Sequence, residues 1–169
     1  MNITNIETFF EIGMKRSVGI KEQSPGLVVN LGAGKSKMPG AHNLDLPSWD
    51  ARFDPIPFEP ETVDEIHAHH FLEHLQSSHV KTMLAEAQRV LKPGGCMFIT
   101  VPLWKSKLAH EDINHMTFFS IDTWKELFSS RFYDTGGNDE PWRFDVVFNM
   151  ILGIDEDNLA ICTQLVKQG

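Results

Sequence analysis

The 169-residue sequence predicts an α/β fold built on a mainly parallel sheet. Three observations carry that expectation. Short apolar runs alternate with segments of helical period. The first such run ends in a glycine turn, "LVVNLGAG". The last two strand-like runs are separated only by "IDED", which predicts a C-terminal antiparallel hairpin.

In chain order, residues 1–24 read as a helical segment. Ile6, Phe9, Phe10 and Met14 recur at near-helical spacing, and Thr4 with Glu7 forms a capping-box pattern. "SPG" at 24–26 breaks it. "LVVNLGAG" is a buried strand delivering a glycine loop, and "AHNLDL" at 41–46 is a second strand ending in an acid. Residues 47–62 hold four prolines and read as loop, with a very short strand near Arg52–Asp54. "VDEIHAHH" at 63–70 is the third strand. "SSHVKTMLAEAQRVL" at 77–91 is an amphipathic helix with a stripe of Val80, Met83, Leu84, Ala87, Val90 and Leu91, and Ser77 or Ser78 as its cap. "KPGG" stops it and "CMFITVP" at 96–102 is a further strand. Residues 103–119 form a long polar loop of the kind that carries function. Ser120 caps the helix "IDTWKELFSS", and residues 143–153 and 158–168 are the hairpin strands.

One domain over residues 1–169 is the expectation from length, and 41% hydrophobic with 22% charged residues is an ordinary globular balance. No apolar run approaches the roughly 20 residues of a membrane span, and the start carries no basic n-region, so a cytoplasmic protein without a membrane partner is expected. Cys96 and Cys162 fall in apolar β-type segments and read as buried thiols. A net charge of −8 repels phosphate backbones, which argues against nucleic acid as the main partner.

Two motifs carry chemistry. In "NLGAGKSKMPGAHNLDL", Gly32 and Gly34 let the backbone take positive φ and approach a ligand. Asp45, at the end of the next strand, can accept from vicinal ribose hydroxyls. The second motif is "IHAHHFLEHL", where four histidines and a glutamate fall within eight residues. His70, Glu73 and His74 spell the H-x-x-E-H pattern of a zinc hydrolase. That pattern works only with both histidines one turn apart on a helix and a third ligand further on. The preceding residues read as a strand, so no metal is expected and the hydrolase is a remote alternative. Both motifs follow strands and so belong on the carboxyl edge of the sheet, where such sheets bind ligands.

Together with "DPIPF" at 54–58, "VDEIHAHHFLEHL" at 63–75 and "RVLKPGGCMFITVP" at 89–102, these motifs resemble class I S-adenosylmethionine-dependent methyltransferases of the methyltransferase type 11-like subset. The resemblance covers most of residues 27–102 and implies a Rossmann-like, doubly wound sheet with S-adenosyl-L-methionine as cofactor. It implies that Gly32, Ala33 and Gly34 line the methionine part and that Asp45 holds the ribose, with Leu46 packed on adenine. Asp54 would accept from the adenine amino group, with Pro55 and Ile56 beside the ring. His69, His70 and Phe71 would pass beneath the sulfonium. The activated methyl needs an in-line nucleophile and exclusion of water. A base helps if that nucleophile is a hydroxyl or ring nitrogen. His115 is the first choice for it and His70 the second, while Glu73 and His74 brace the following segment.

One departure stands out. Only seven residues separate Gly34 from His42, whereas a parallel crossover normally takes a dozen or more. The first crossover helix is therefore expected to be shortened or missing, which would uncover part of the methionine end. A partner subunit, in a homo-oligomer, could complete it. The acceptor is expected to be a small molecule or sugar rather than nucleic acid, recognised by residues 103–119 and 134–143. The competing reading is a non-catalytic module on the same fold that binds S-adenosylmethionine or a protein partner.

Overall fold

A computed structural model describes residues 26–128, 142–153 and 155–169. The N-terminal helical segment expected over 1–24 and residues 134–141 of the expected second substrate-side loop lie outside them. Among the described residues, six strands form one sheet: β1 (Val28–Leu31), β2 (His42–Leu44), β3 (Val63–His69), β4 (Leu91–Pro102), β5 (Phe144–Gly153) and β6 (Leu159–Lys167). Two helices accompany them, α1 (Ser77–Val90) and α2 (Thr123–Phe128). The order is β2-β1-β3-β4-β6-β5. β2, β1, β3 and β4 pair in parallel, and β6 is antiparallel to both β4 and β5. The doubly wound sheet and the antiparallel C-terminal hairpin are as expected.

The missing crossover helix is also as expected, since residues 32–41 contain turns and no helix. Asn43 takes the place of helical hydrogen bonding in this short connection. Its Nδ2 donates to the carbonyls of Met38 and Ala41, both at 3.0 Å. Its Oδ1 accepts from Met38 N–H at 2.8 Å and from Asn30 Nδ2 at 2.9 Å. Ten residues can thus join two adjacent parallel strands because one side chain satisfies the backbone of the loop.

The two faces of the sheet differ. Val29 and Leu31 of β1, Ile66 and Ala68 of β3, and Met97, Ile99 and Val101 of β4 share one face, as their pairing registers require. They bury against the α1 stripe of Val80, Met83, Leu84, Ala87 and Val90 in one core cluster. Trp49, Ala51 and Ile56 from the β2–β3 connection join the same cluster. The opposite face carries a row across five strands, Asn43, Asn30, His67, Phe98 and Gln164, polar at every position but Phe98. By the right-handed crossover rule this is the face on which the β1–β2 helix would lie.

Four local expectations need correction. Residues 51–53 form a turn rather than a strand. It is closed by Asp54 N–H donating to the Asp50 carbonyl and Asp50 N–H donating to the Asp54 carboxylate, both at 2.8 Å. Neither Ser77 nor Ser78 caps α1. The cap position is Gln76, which makes no side-chain cap bond, because buried Leu75 fixes where the chain enters the helix. Ser120 lies three residues before α2, and its amide donates to Thr123 Oγ1 at 2.9 Å. "KPGG" does not separate α1 from a later strand, since β4 begins at Leu91 and absorbs those residues with Gly94 at φ 80°.

Candidate active site

The carboxyl ends of β1 and β3 lie side by side, and the chain leaves them toward opposite edges of the sheet, to β2 and to β4. That is a topological switch point, the place where open α/β sheets form a ligand crevice. On the β1 side, Gly32 and Gly34 take φ of 63° and 50°, as the sequence predicts. The amides of Gly32 and Ala33 donate to the Leu44 carbonyl at 2.9 and 3.3 Å, which ties the loop to the end of β2. Asp45 follows directly. Its Oδ2 accepts from Gly34 N–H at 2.7 Å and its Oδ1 from Leu46 N–H at 2.9 Å. A carboxylate has about four acceptor sites, so Asp45 keeps lone pairs for further donors while holding the loop. Leu46 is 61% exposed beside it.

Asp54 and Pro55 are exposed. Ile56, expected beside the adenine ring, is instead a core residue at 1% exposure. Its amide donates to Glu86 Oε2 at 3.0 Å and its carbonyl accepts from Arg89 Nη2 at 2.9 Å. Arg89 also donates to the Phe58 carbonyl at 2.9 Å and forks onto Glu86. The arginine of "RVLKPGG" is therefore a clamp on the "DPIPF" loop, and the two motifs form one structural unit.

On the β3 side, the strand ends at His69 and the chain turns sharply. His70 takes φ of 49°, rare for a residue with a side chain, and its amide donates to the Thr100 carbonyl at 2.8 Å. The side-chain alternation expected to run through His70 therefore stops one residue earlier. Phe71 packs onto Gly32, where an added Cβ would stand 2.2 Å from its Cδ2.

The His69 ring turns into the polar face. Nδ1 lies 3.1 Å from Thr100 Oγ1 and Nε2 lies 3.1 Å from His67 Nδ1, while His67 Nε2 meets the Glu65 carboxylate. Burial, and to a lesser degree the neighbouring His67 and His70, pushes the His69 imidazole down from 6.5 to about 3. The unfolded chain takes up a proton near pH 6.5 where the folded chain does not. Stability therefore falls as pH falls through the window from 6.5 to 3. We expect this group to remove about 2 kcal/mol of unfolding free energy between pH 7 and pH 5. His69→Asn should flatten that slope in denaturation curves at the two pH values, and an unchanged slope would refute the assignment.

The loop 103–119 is not loose. Leu103 forms a bridge to Phe119, and Trp104 N–H donates to the Phe119 carbonyl at 2.8 Å. Met116 and Thr117 amides donate to the Glu73 carbonyl at 2.7 and 3.1 Å, and Thr117 Oγ1 donates to the Leu75 carbonyl at 2.6 Å. Through its backbone carbonyl Glu73 anchors residues 116 and 117 of this loop, rather than the segment that follows it in the chain. His115 meets His74 edge-on, with ring centroids 4.7 Å apart. His70 contacts Glu73 instead, Nδ1 to Oε1 at 3.2 Å. The two expected bases thus flank one glutamate. The loop exposes Trp104, Ile113, Met116 and Phe118. Cys162 is buried and Cys96 half-buried, both free, and burial raises both thiols.

Sequence reasoning missed Asn43 and Arg89. The shortness of the crossover was a signal for Asn43, because a loop lacking a helix needs another source of hydrogen bonds.

The comparisons with known proteins agree with this geometry. Residues 29–99 match the family model of a methyltransferase domain. No curated protein matches the chain. Among solved structures, a SAM-dependent methyltransferase from Archaeoglobus fulgidus superposes with a TM-score of 0.66 at 14% identity, covering 96% of this chain and 93% of that one. A chain of the complex between the Haloferax volcanii Trm112 methyltransferase activator and a methyltransferase gives 0.63 at 16% identity, covering 95% and 88%. The 1,6-didemethyltoxoflavin-N1-methyltransferase of Burkholderia thailandensis, solved with S-adenosylhomocysteine, gives 0.59 at 13% identity, covering 96% and 76%. The family model spans the glycine loop, β2, β3 and α1 into β4, so residues 29–99 are similar to a methyltransferase domain, and the sheet around them has the fold of the S-adenosylmethionine-dependent methyltransferases compared above.

Proposed function

We propose that this chain binds S-adenosyl-L-methionine in the crevice between the carboxyl ends of β1 and β3 and transfers its methyl group to a small-molecule or sugar acceptor. The observation that carries the reading is Asp45, a carboxylate fastened to the glycine loop through Gly34 N–H at 2.7 Å, at the switch point of the sheet. Gly32, Ala33, Gly34, Asp45, Leu46, Asp54 and Pro55 hold the cofactor, with His70 and Phe71 closing the β3 side. Ile56 supports the site from the core. When bound, the cofactor would supply a methyl already activated on a sulfonium, which an in-line nucleophile would displace with a neutral thioether as leaving group. Positioning and exclusion of water supply most of the rate, and His115 or His70 takes the acceptor's proton where the acceptor has one. Exposed Trp104, Met116 and Phe118 offer apolar surface to a ring on the acceptor. The net charge of −8 disfavours a nucleic-acid acceptor.

Calorimetry with S-adenosylhomocysteine should give one site per chain. Asp45→Ala should weaken it by about 1–3 kcal/mol, the scale of lost hydrogen bonds to a carboxylate. Asp45→Asn, which keeps the shape of the side chain, should weaken it less. No binding by the folded chain would sink the reading. One observation favours a second reading, a module on this fold without turnover: the side of Gly32 where a Cβ would stand is already filled by Phe71. Cofactor binding without methyl transfer to any of a panel of sugars and small metabolites would select it.

A further inference from the structure

The sequence pattern His70, Glu73, His74 suggests a zinc site, and the fold rearranges it. Only Leu72–His74 forms a helical turn, a single 3₁₀ turn. His70 lies before that turn at positive φ, so it is not stacked one turn from His74 as the hydrolase pattern requires. The loop 103–119 supplies a different partner. One donor atom from each of Glu73, His74 and His115 lies within 4.8 Å of the other two. An ion bound at about 2.1 Å from each donor needs them about 3 to 3.5 Å apart, which small ring rotations can reach.

Three further observations point to a cation there. Glu73 is 1% exposed, and its Oε2 has no hydrogen-bond partner. A buried carboxylate oxygen left without a donor is costly unless a cation meets it. The other oxygen, Oε1, is held by His70 Nδ1 at 3.2 Å, so the carboxylate is already oriented by a neighbour, as metal-binding carboxylates usually are. His115 Nδ1 lies 3.0 Å from the Ala109 carbonyl. A carbonyl can only accept, so the proton sits on Nδ1 and the lone pair is left on Nε2. That is the tautomer of a metal-binding histidine whose second nitrogen is anchored to backbone.

We propose that Glu73, His74 and His115 bind a divalent transition cation of the zinc class, and that the ion clamps the loop 103–119 to the turn after β3. Two histidines and one carboxylate suit zinc, cobalt or ferrous iron rather than magnesium or calcium, which prefer oxygen alone. Three protein donors leave a position open, and with the His115 Nε2 lone pair on the ion, the proton-accepting role of the methyl-transfer reading falls to His70. An acceptor oxygen or sulfur could enter the open position, an extension that rests on the methyl-transfer reading and that the ion-binding test does not use.

The full chain, stripped with chelator and dialysed, is titrated with zinc chloride in the absence of cofactor. The expected result is one tightly held zinc per chain by metal analysis, with a rise in Tm. Cobalt in place of zinc should give visible ligand-field bands. His115→Ala should raise the zinc dissociation constant at least about tenfold and abolish the cobalt bands, the loss of a ligand costing no less than the loss of its supporting shell. Glu73→Gln should do the same, and its folding is checked by circular dichroism because the side chain is buried. His110→Ala, on the same loop with Nε2 at 2.7 Å from the Trp104 carbonyl, should leave zinc binding unchanged. Folded wild-type chain that holds no zinc overturns the proposal. So does zinc held equally well by the His115→Ala chain, which would place the ion on other histidines. S-adenosylhomocysteine calorimetry on the same samples reports separately on the cofactor site.

Discussion

Gly32→Ala is expected to lower the unfolding free energy by about 2–5 kcal/mol. Two costs add. An alanine at the φ of 63° found here enters the left-handed region, at about 1–2 kcal/mol. Its Cβ would also stand 2.2 Å from Phe71 Cδ2, 2.6 Å from Cγ and 2.9 Å from Cβ. These atoms lie near the root of the side chain, so Phe71 cannot swing clear without moving the turn after β3. Overpacking of this kind costs about 1–3 kcal/mol. Gly34 supplies the control. Its φ is 50°, but the nearest atom to an added Cβ is the Gly32 carbonyl oxygen at 4.0 Å. Gly34→Ala should therefore carry the conformational cost alone. Urea denaturation of both variants measures the difference, and equal losses would remove the role assigned to Phe71.

Asn43→Ala should cost about 2–4 kcal/mol, because it strands several polar groups at once. The Met38 N–H and the Ala41 carbonyl lose their Asn43 contacts, the Met38 carbonyl keeps only Ala41 N–H at 3.3 Å, and Asn30 Nδ2 keeps only the Ser36 carbonyl at 3.5 Å. Asn43→Asp keeps the two acceptor contacts and loses the two donor contacts, so it should fall between wild type and alanine. The loop that Asn43 shapes leads from Gly34 to Asp45, so S-adenosylhomocysteine affinity should fall along with stability. A variant with wild-type stability would show that the short crossover is held by something other than this side chain.

The glycine loop was legible because its signal is local. Apolar residues followed by Gly32 and Gly34 can do little other than end a buried strand in positive φ. The acid at Asp45 was legible for the same reason. Ile56 was misplaced because a motif gives neighbours along the chain and not depth. The Glu86–Arg89 pair on α1, about 30 residues later, pulls its backbone into the core. The expected cap at Ser77 or Ser78 failed because burial of Leu75 outranked a hydrogen bond worth about 1 kcal/mol.

The histidine-rich segment marks the boundary between the two kinds of information. By itself the sequence determined the parallel sheet, the absent crossover helix, the hairpin and the carboxyl edge on which the glycine loop and the histidine turn lie. These follow from apolar period, glycine conformation and loop length, all of which act over a few residues. It could not determine which of the clustered histidines work together. Tertiary structure sent His67 and His69 into the polar face of the sheet, set His70 on Glu73 through a left-handed turn, and brought His115 across from a loop some forty residues later to meet His74. The physical reason is that side-chain partnership depends on where separate segments cross, and that is fixed by the packing of the whole core.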